Sequence, residues 1–118
     1  MDEKVPGKVT VASGVLVTIV QLTTQEISGV HEMCAAWTRD VNRFLGDERI
    51  GDGVEIRVDK DEITIDLYII VEHDVSMLQL GRRIQAEVAR AVEEMTSMDV
   101  KAINVHIEDV HYPPAQLS

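Results

Sequence analysis

The sequence predicts an α+β domain: a two-layer, ferredoxin-like sandwich in β-α-β-β-α-β order. Its helices cover one face of an antiparallel sheet, and an extra short helix lies around residues 33–45. Three observations carry this reading. Residues 76–95 repeat apolar side chains at helical spacing, residues 63–71 repeat them at strand spacing, and a second alternating run follows at 102–110. A helix-period segment held between two strand-period segments is the strand–helix–strand unit of such a domain.

The elements follow in order. Residues 1–7, Met-Asp-Glu-Lys-Val-Pro-Gly, form a polar lead-in closed by Pro-Gly, a single domain spans 8–112, and 113–118 is a tail that starts with two prolines. Lys8 to Ala12 alternates, with Val9 and Val11 on one face, and reads as the first strand. Ser13 reads as the N-cap of a helix running to about Ile27, with Val15 or Leu16, Ile19, Val20, Thr23 and Ile27 along one stripe and Ser28-Gly29 as its stop. Its Val, Thr and Ile content lowers intrinsic helix propensity, so tertiary packing must hold it. Val30, Met33, Trp37, Val41 and Phe44 or Leu45 recur at steps of three and four, the pattern of a shorter helix ending at Gly46; a loop folded over the core is the alternative. Residues 47–53 read as a linker or turn.

Val54, Ile56 and Val58 alternate with Glu55 and Arg57 in the next strand. Asp59-Lys60-Asp61-Glu62 is a polar hairpin turn without an Asn-Gly or Asp-Gly pair, which favours a four-residue loop. In the strand that follows, Ile63, Ile65, Leu67, Ile69 and Val71 make one apolar face, and Thr64, Asp66, Tyr68 and Ile70 the other. Ser76 with Gln79 makes a capping box for the second helix, whose buried stripe reads Met77, Leu80, Ile84, Val88, Ala91 and Met95. Glu87 can pair with Arg83 or Arg90 on its wet side. Residues 96–99 form a hinge. In the last strand Ile103, Val105 and Ile107 point inward, while Asn104, His106 and Glu108 point outward.

Charge and composition narrow the function. The formal net charge is −10, which argues against a nucleic-acid backbone or an anionic lipid surface as partner, since both need clustered cations. The single cysteine, Cys34, can form no intrachain disulfide, and a reducing, cytoplasmic setting is expected. No apolar run reaches the length of a membrane span, and the N-terminus lacks a basic-then-apolar leader, so direct membrane insertion is not expected.

No catalytic, cofactor-binding or metal-binding constellation is expected. His106 and His111 lie among acids, but on a regular strand positions five apart face opposite sides, so the two cannot chelate one ion unless the strand bends. His31 and His73 read as loop residues. Cys34 has no base beside it, and Asp59, Asp61 and Glu62 lack the spacing of a calcium loop. Met77, Met95 and Met98 read as core. Tyr68 and Ile70 stand out, because they are apolar on a face that should be wet. They form the candidate interaction surface, covered either by residues 30–46 or by another subunit.

Four runs carry a family resemblance: Gly53-Val-Glu-Ile-Arg-Val, Ile65-Asp-Leu-Tyr-Ile-Ile-Val-Glu, Gln85-Ala-Glu-Val-Ala-Arg-Ala-Val-Glu-Glu-Met-Thr and Val100-Lys-Ala-Ile-Asn-Val-His-Ile-Glu-Asp-Val. With Gly29-Val30 and Met33 upstream, residues 7–112 resemble the alkaline shock protein 23 family, most specifically in the ending Ile103 to Val110. The resemblance implies a cytosolic, non-enzymatic protein of envelope homeostasis and stress response. Such a protein would work as an interaction or scaffold module, as a homo-oligomer or through a membrane-anchored partner that could hold it at the inner face of the cell membrane. It carries over no catalytic or cofactor residue. A small-ligand-sensing regulatory domain, with a pocket near Trp37, is the alternative function. The chain departs from the family at Ser97-Met98-Asp99, where a glycine and an apolar residue are usual.

Overall fold

In the computed structural model, which describes residues 5–34, 48–51 and 53–114, the chain runs α1 (Ser13–Gln25), β1 (Val30–Met33), β2 (Glu48–Gly51), β3 (Val54–Asp59), β4 (Glu62–Glu72), α2 (Met77–Thr96) and β5 (Asp99–His111). β4 is the axis. Its inner residues Ile63, Ile65, Leu67, Ile69 and Val71 are all fully buried, and both helices pack onto this face. α1 contributes Leu16, Ile19 and Val20, and α2 contributes Leu80, Ile84, Val88 and Val92. Burying a side chain of this size stabilises by about 1.5–3 kcal/mol, so the shared apolar layer is what joins helices to sheet.

One edge of β4 is shared by two strands set end to end. β3 pairs antiparallel with residues 62–67 and β1 antiparallel with residues 69–71. They meet at Tyr68, whose N–H donates to the Gly53 carbonyl at 2.9 Å and whose carbonyl accepts from the Cys34 N–H at 2.7 Å. Gly53 sits at φ +85°, and a Cβ there would lie 2.9 Å from the Tyr68 carbonyl oxygen. Only glycine fits that junction. β2 continues the sheet antiparallel to β3. The other edge of β4 is taken along its whole length by β5, which is parallel to it. Parallel neighbours need a long crossover, and α2 supplies it.

The coarse class predicted from sequence holds: α+β, with two helices on one face of a sheet whose first four strands are antiparallel. The ferredoxin-like order does not emerge, because the described elements run α-β-β-β-β-α-β. Lys8 to Ala12 is not a strand. Among the described residues it pairs with no strand, and Val9 is 96% exposed. Two alternating valines give a strand pattern, but without a ladder partner the backbone gains nothing by extending. Val30–Met33, read from sequence as the start of a helix, is strand β1; residues 35–47, which carry the rest of that expected helix, lie outside the described residues. The expected linker contains β2. Asp59 pairs with Glu62, so the β3–β4 hairpin turns on two residues, with Lys60 taking φ +60° in place of the usual glycine.

The helix ends also differ in detail. The N-cap of α1 is Ala12, with no side-chain cap, and Ser13 lies inside the first turn. Thr24 is buried in this helix and satisfies its hydroxyl by donating to the Val20 carbonyl at 2.7 Å. Ser76 caps α2 as expected, its Oγ accepting from the Gln79 N–H at 3.4 Å, and Arg83 Nε donates to Glu87 at 3.0 Å. Met77 and Met95, expected in the buried stripe, are exposed at the two ends of α2; Val92 is buried instead. α2 stops at Ser97, a non-glycine residue in the left-handed region at φ +63°, whose N–H donates to the Glu93 carbonyl. Two α2 side chains then tie down β5: Gln85 Nε2 donates to the Ile103 carbonyl at 3.0 Å, and the Val100 N–H donates to Glu93 Oε2 at 3.2 Å.

Candidate functional site: a histidine–carboxylate face

The outer face of β4 carries Thr64, Asp66, Tyr68, Ile70 and Glu72, two of them acids on a face away from the core. Each acid has gathered its own partners from the neighbouring strands.

Asp66 is at the centre of the sheet and only 8% exposed. Its Oδ2 accepts from Arg57 of β3 at 3.2 Å and its Oδ1 from His106 Nε2 of β5 at 2.9 Å. Arg57 also lies 3.6 Å from Glu55. An ionised carboxylate only accepts, so the His106 Nε2 carries the proton here. The His106 ring stacks on Tyr68, with centroids 4.6 Å apart and planes 12° from parallel. Burial of Tyr68, with the nearby Asp66, Glu55 and Glu108 carboxylates, raises its phenol above the ordinary range; Arg57 opposes this. A buried carboxylate with a guanidinium on one oxygen and an imidazole on the other is a satisfied structural pair.

Glu72 lies at the C-terminal end of β4, and two histidines converge on it. His31 Nδ1 of β1 donates to Oε2 at 3.1 Å, and His111 Nδ1 of β5 donates to Oε1 at 3.2 Å. The two imidazoles stack on each other, centroids 3.7 Å apart and planes 5° from parallel. These hydrogen bonds, from His111 first and His31 second, hold the Glu72 carboxyl below its ordinary range. The ligating atoms of the three residues all lie within 4.8 Å of one another.

Two β-bulges build this convergence. On β1, Val30 pairs with Val71 and Glu32 with Ile70, so His31 is the extra residue. Strict alternation back from the buried Met33 would turn His31 inward; the bulge turns it out. On β5, Ile107 pairs with Ile69 and Asp109 with Ile70, so Glu108 is extra. It reverses the parity of everything after it. His106 and His111, expected on opposite faces, are therefore on the same outer face, each against a different acid. The reading of His31 as a loop residue is likewise corrected: it is in a strand and bound to Glu72.

The structure places the other singled-out residues apart from these clusters or inside them. Tyr68 is 7% exposed, covered within the chain, while Ile70 is half-buried on the same face. Cys34 is a half-buried free thiol. The His73 ring leans on Tyr112 at 5.3 Å, and its buried Nδ1 finds no hydrogen-bond partner among the described residues. On the helical side of β5 a shallow cleft of about 220 Å³ is lined by Met77, Leu78, Gly81, Val105 and Ile107. Leu78 at its rim is 70% exposed. Among the described residues no helix is long and apolar enough to cross a membrane.

The fold and face together define a small α+β domain whose sheet carries paired histidine–carboxylate clusters opposite an aliphatic core. Residues 1–112 match the alkaline shock protein 23 family, described as having a cell envelope-related function, and the chain belongs to that family. Among its relatives is the uncharacterized protein YqhY of Bacillus subtilis (strain 168), 31% identical over 90% of this chain and 78% of that protein. Another is a stress response regulator gls24 homolog of Streptococcus pyogenes, 25% identical over 93% of this chain and 62% of that longer protein. A solved MamM CTD structure is similar over 82% of this chain and 94% of its own, at 15% identity and a TM-score of 0.49, too loose an overlap to assign fold or function.

Proposed function

We propose that this chain is a protein-interaction module of the cell-envelope stress response, acting without catalytic chemistry of its own. Membership of a family with a cell envelope-related function carries the reading. The relatives named as stress response regulators support its stress aspect. The physical support is the apolar surface beside β5. Leu78 and Met77 are exposed on α2, next to Val105 and Ile107, and among the described residues β5 pairs with β4 alone. An apolar cleft beside an unpaired strand edge favours association. In this proposal the module assembles with itself or with a membrane-anchored protein that holds it at the inner face of the cell membrane.

Size-exclusion chromatography with light scattering, together with capture from a native membrane extract, tests it. Leu78→Glu places a charge in the exposed rim without touching the buried stripe. The expected result is an oligomer, or a captured membrane protein, that Leu78→Glu dissociates. A strict monomer at high concentration that captures no membrane protein contradicts the proposal. Tyr68→Glu is unsuited to this test, because Tyr68 is buried and its loss would act through folding. Ile70→Glu probes the outer face instead.

A further inference from the structure

We propose that His31, Glu72 and His111 form a binding site for one divalent transition-metal ion of the zinc class. The three donors come from three adjacent strands, β1, β4 and β5, so the sheet itself fixes their spacing. Zinc binds histidine nitrogen and carboxylate oxygen at about 2.0–2.2 Å, and donors around one tetrahedral ion are then roughly 3–3.5 Å apart. Each Nδ1 lies 3.1 or 3.2 Å from its own Glu72 oxygen, and one donor atom from each of the three residues falls within 4.8 Å of the others, so a small inward shift brings the set onto one ion.

The donor chemistry selects the metal. Two imidazoles and one carboxylate suit zinc and its first-row neighbours, whereas calcium and magnesium require mainly oxygen. The side chains are about one-third exposed, so an ion has access and a water can complete the fourth position. Among the described residues the Glu72 carboxylate is hydrogen-bonded by the two histidines and by no lysine or arginine. Asp66 makes the contrast on the same face, since Arg57 already supplies its positive charge.

Binding requires a proton rearrangement and a small motion. In the metal-free state each Nδ1 donates its proton to Glu72. On binding, each neutral ring moves that proton to Nε2 and presents the Nδ1 lone pair to the ion, while the rings tilt out of their stack.

The test is titration of this 118-residue chain with Zn²⁺ by calorimetry, with Co²⁺ absorption as the coordination readout. One ion per chain is expected, with the visible bands of a four-coordinate site. His31→Ala and His111→Ala should each weaken binding at least about tenfold, as loss of a ligand must exceed the typical cost of losing an outer-shell partner. His106→Ala, bound to the other acid, should leave the affinity unchanged. Circular dichroism confirms that the variants fold, and Glu72→Gln, which keeps a side chain of the same shape, gives an independent loss. The proposal is overturned by an absence of binding, by binding that survives the paired His31→Ala and His111→Ala changes, or by an equal response to Mg²⁺ or Ca²⁺. The outcome is independent of the proposed interaction role, which the light-scattering experiment reads separately.

Discussion

The two acids on the outer face of β4 sit three turns of the strand pleat apart and have the same partner type, yet they are in different states. Asp66 is mid-sheet, buried, and closed by Arg57 on one side and His106 on the other. Glu72 is at the strand end, more exposed, and held by two histidines that stack over it. Position along one strand explains the difference. In the middle of a sheet a carboxylate must be fully paired, because an unmet charge there is costly. At the end of a strand water can share that task, so the site can remain open to an exchangeable partner. Asp66 thus belongs to the architecture, and Glu72 is available for function.

This contrast can be broken most severely at Asp66. Asp66→Ala strands Arg57 and His106 on the half-buried face and should lower unfolding free energy by about 1–3 kcal/mol, read by urea denaturation. A loss no greater than that of Glu72→Gln at neutral pH would erase the distinction. Ser97→Gly should act in the other direction. The left-handed stop of α2 costs a non-glycine residue energy, so glycine there should raise stability by about 1 kcal/mol. Because Ser97 shares no partner with either acid, the gain should add equally to both variants, leaving their difference unchanged.

The smallest effect is the pH dependence of Glu72. Its folded pKa is lowered from the ordinary 4.5 by hydrogen bonds from His111 and His31. A lowered folded value means that the stabilisation is complete above the unfolded pKa and is lost as the pH falls through the folded one. Stability measured from neutral to strongly acidic pH should therefore show a step below about 4.5 in the parent that Glu72→Gln lacks. A step of the same size in both would place the dependence elsewhere.

Much of the core could be read from the sequence. The Ile63–Val71 alternation, the Leu80, Ile84 and Val88 stripe and the Ile103 face are all where periodicity puts them, because a core demands regular spacing. The site could not be read so directly, because it depends on two breaks in that spacing. The breaks do leave traces. Val30 and Met33 are three residues apart and both pack inward, as are Ile107 and Val110. In strands, a step of three between inward residues marks a bulge, but it is also a helical step, and in Val30–Met33 it reads as the start of a helix. Lys60 and Ser97 leave none, since neither residue type announces a left-handed backbone.

The most direct measurement is thermal unfolding of Asp66→Ala and Glu72→Gln side by side, each with and without Zn²⁺. The account predicts that Asp66→Ala melts lower than the parent and still gains stability from zinc, while Glu72→Gln melts close to the parent at neutral pH and gains little or nothing. The opposite pattern, with Glu72→Gln the less stable metal-free variant and its zinc response intact, would contradict it.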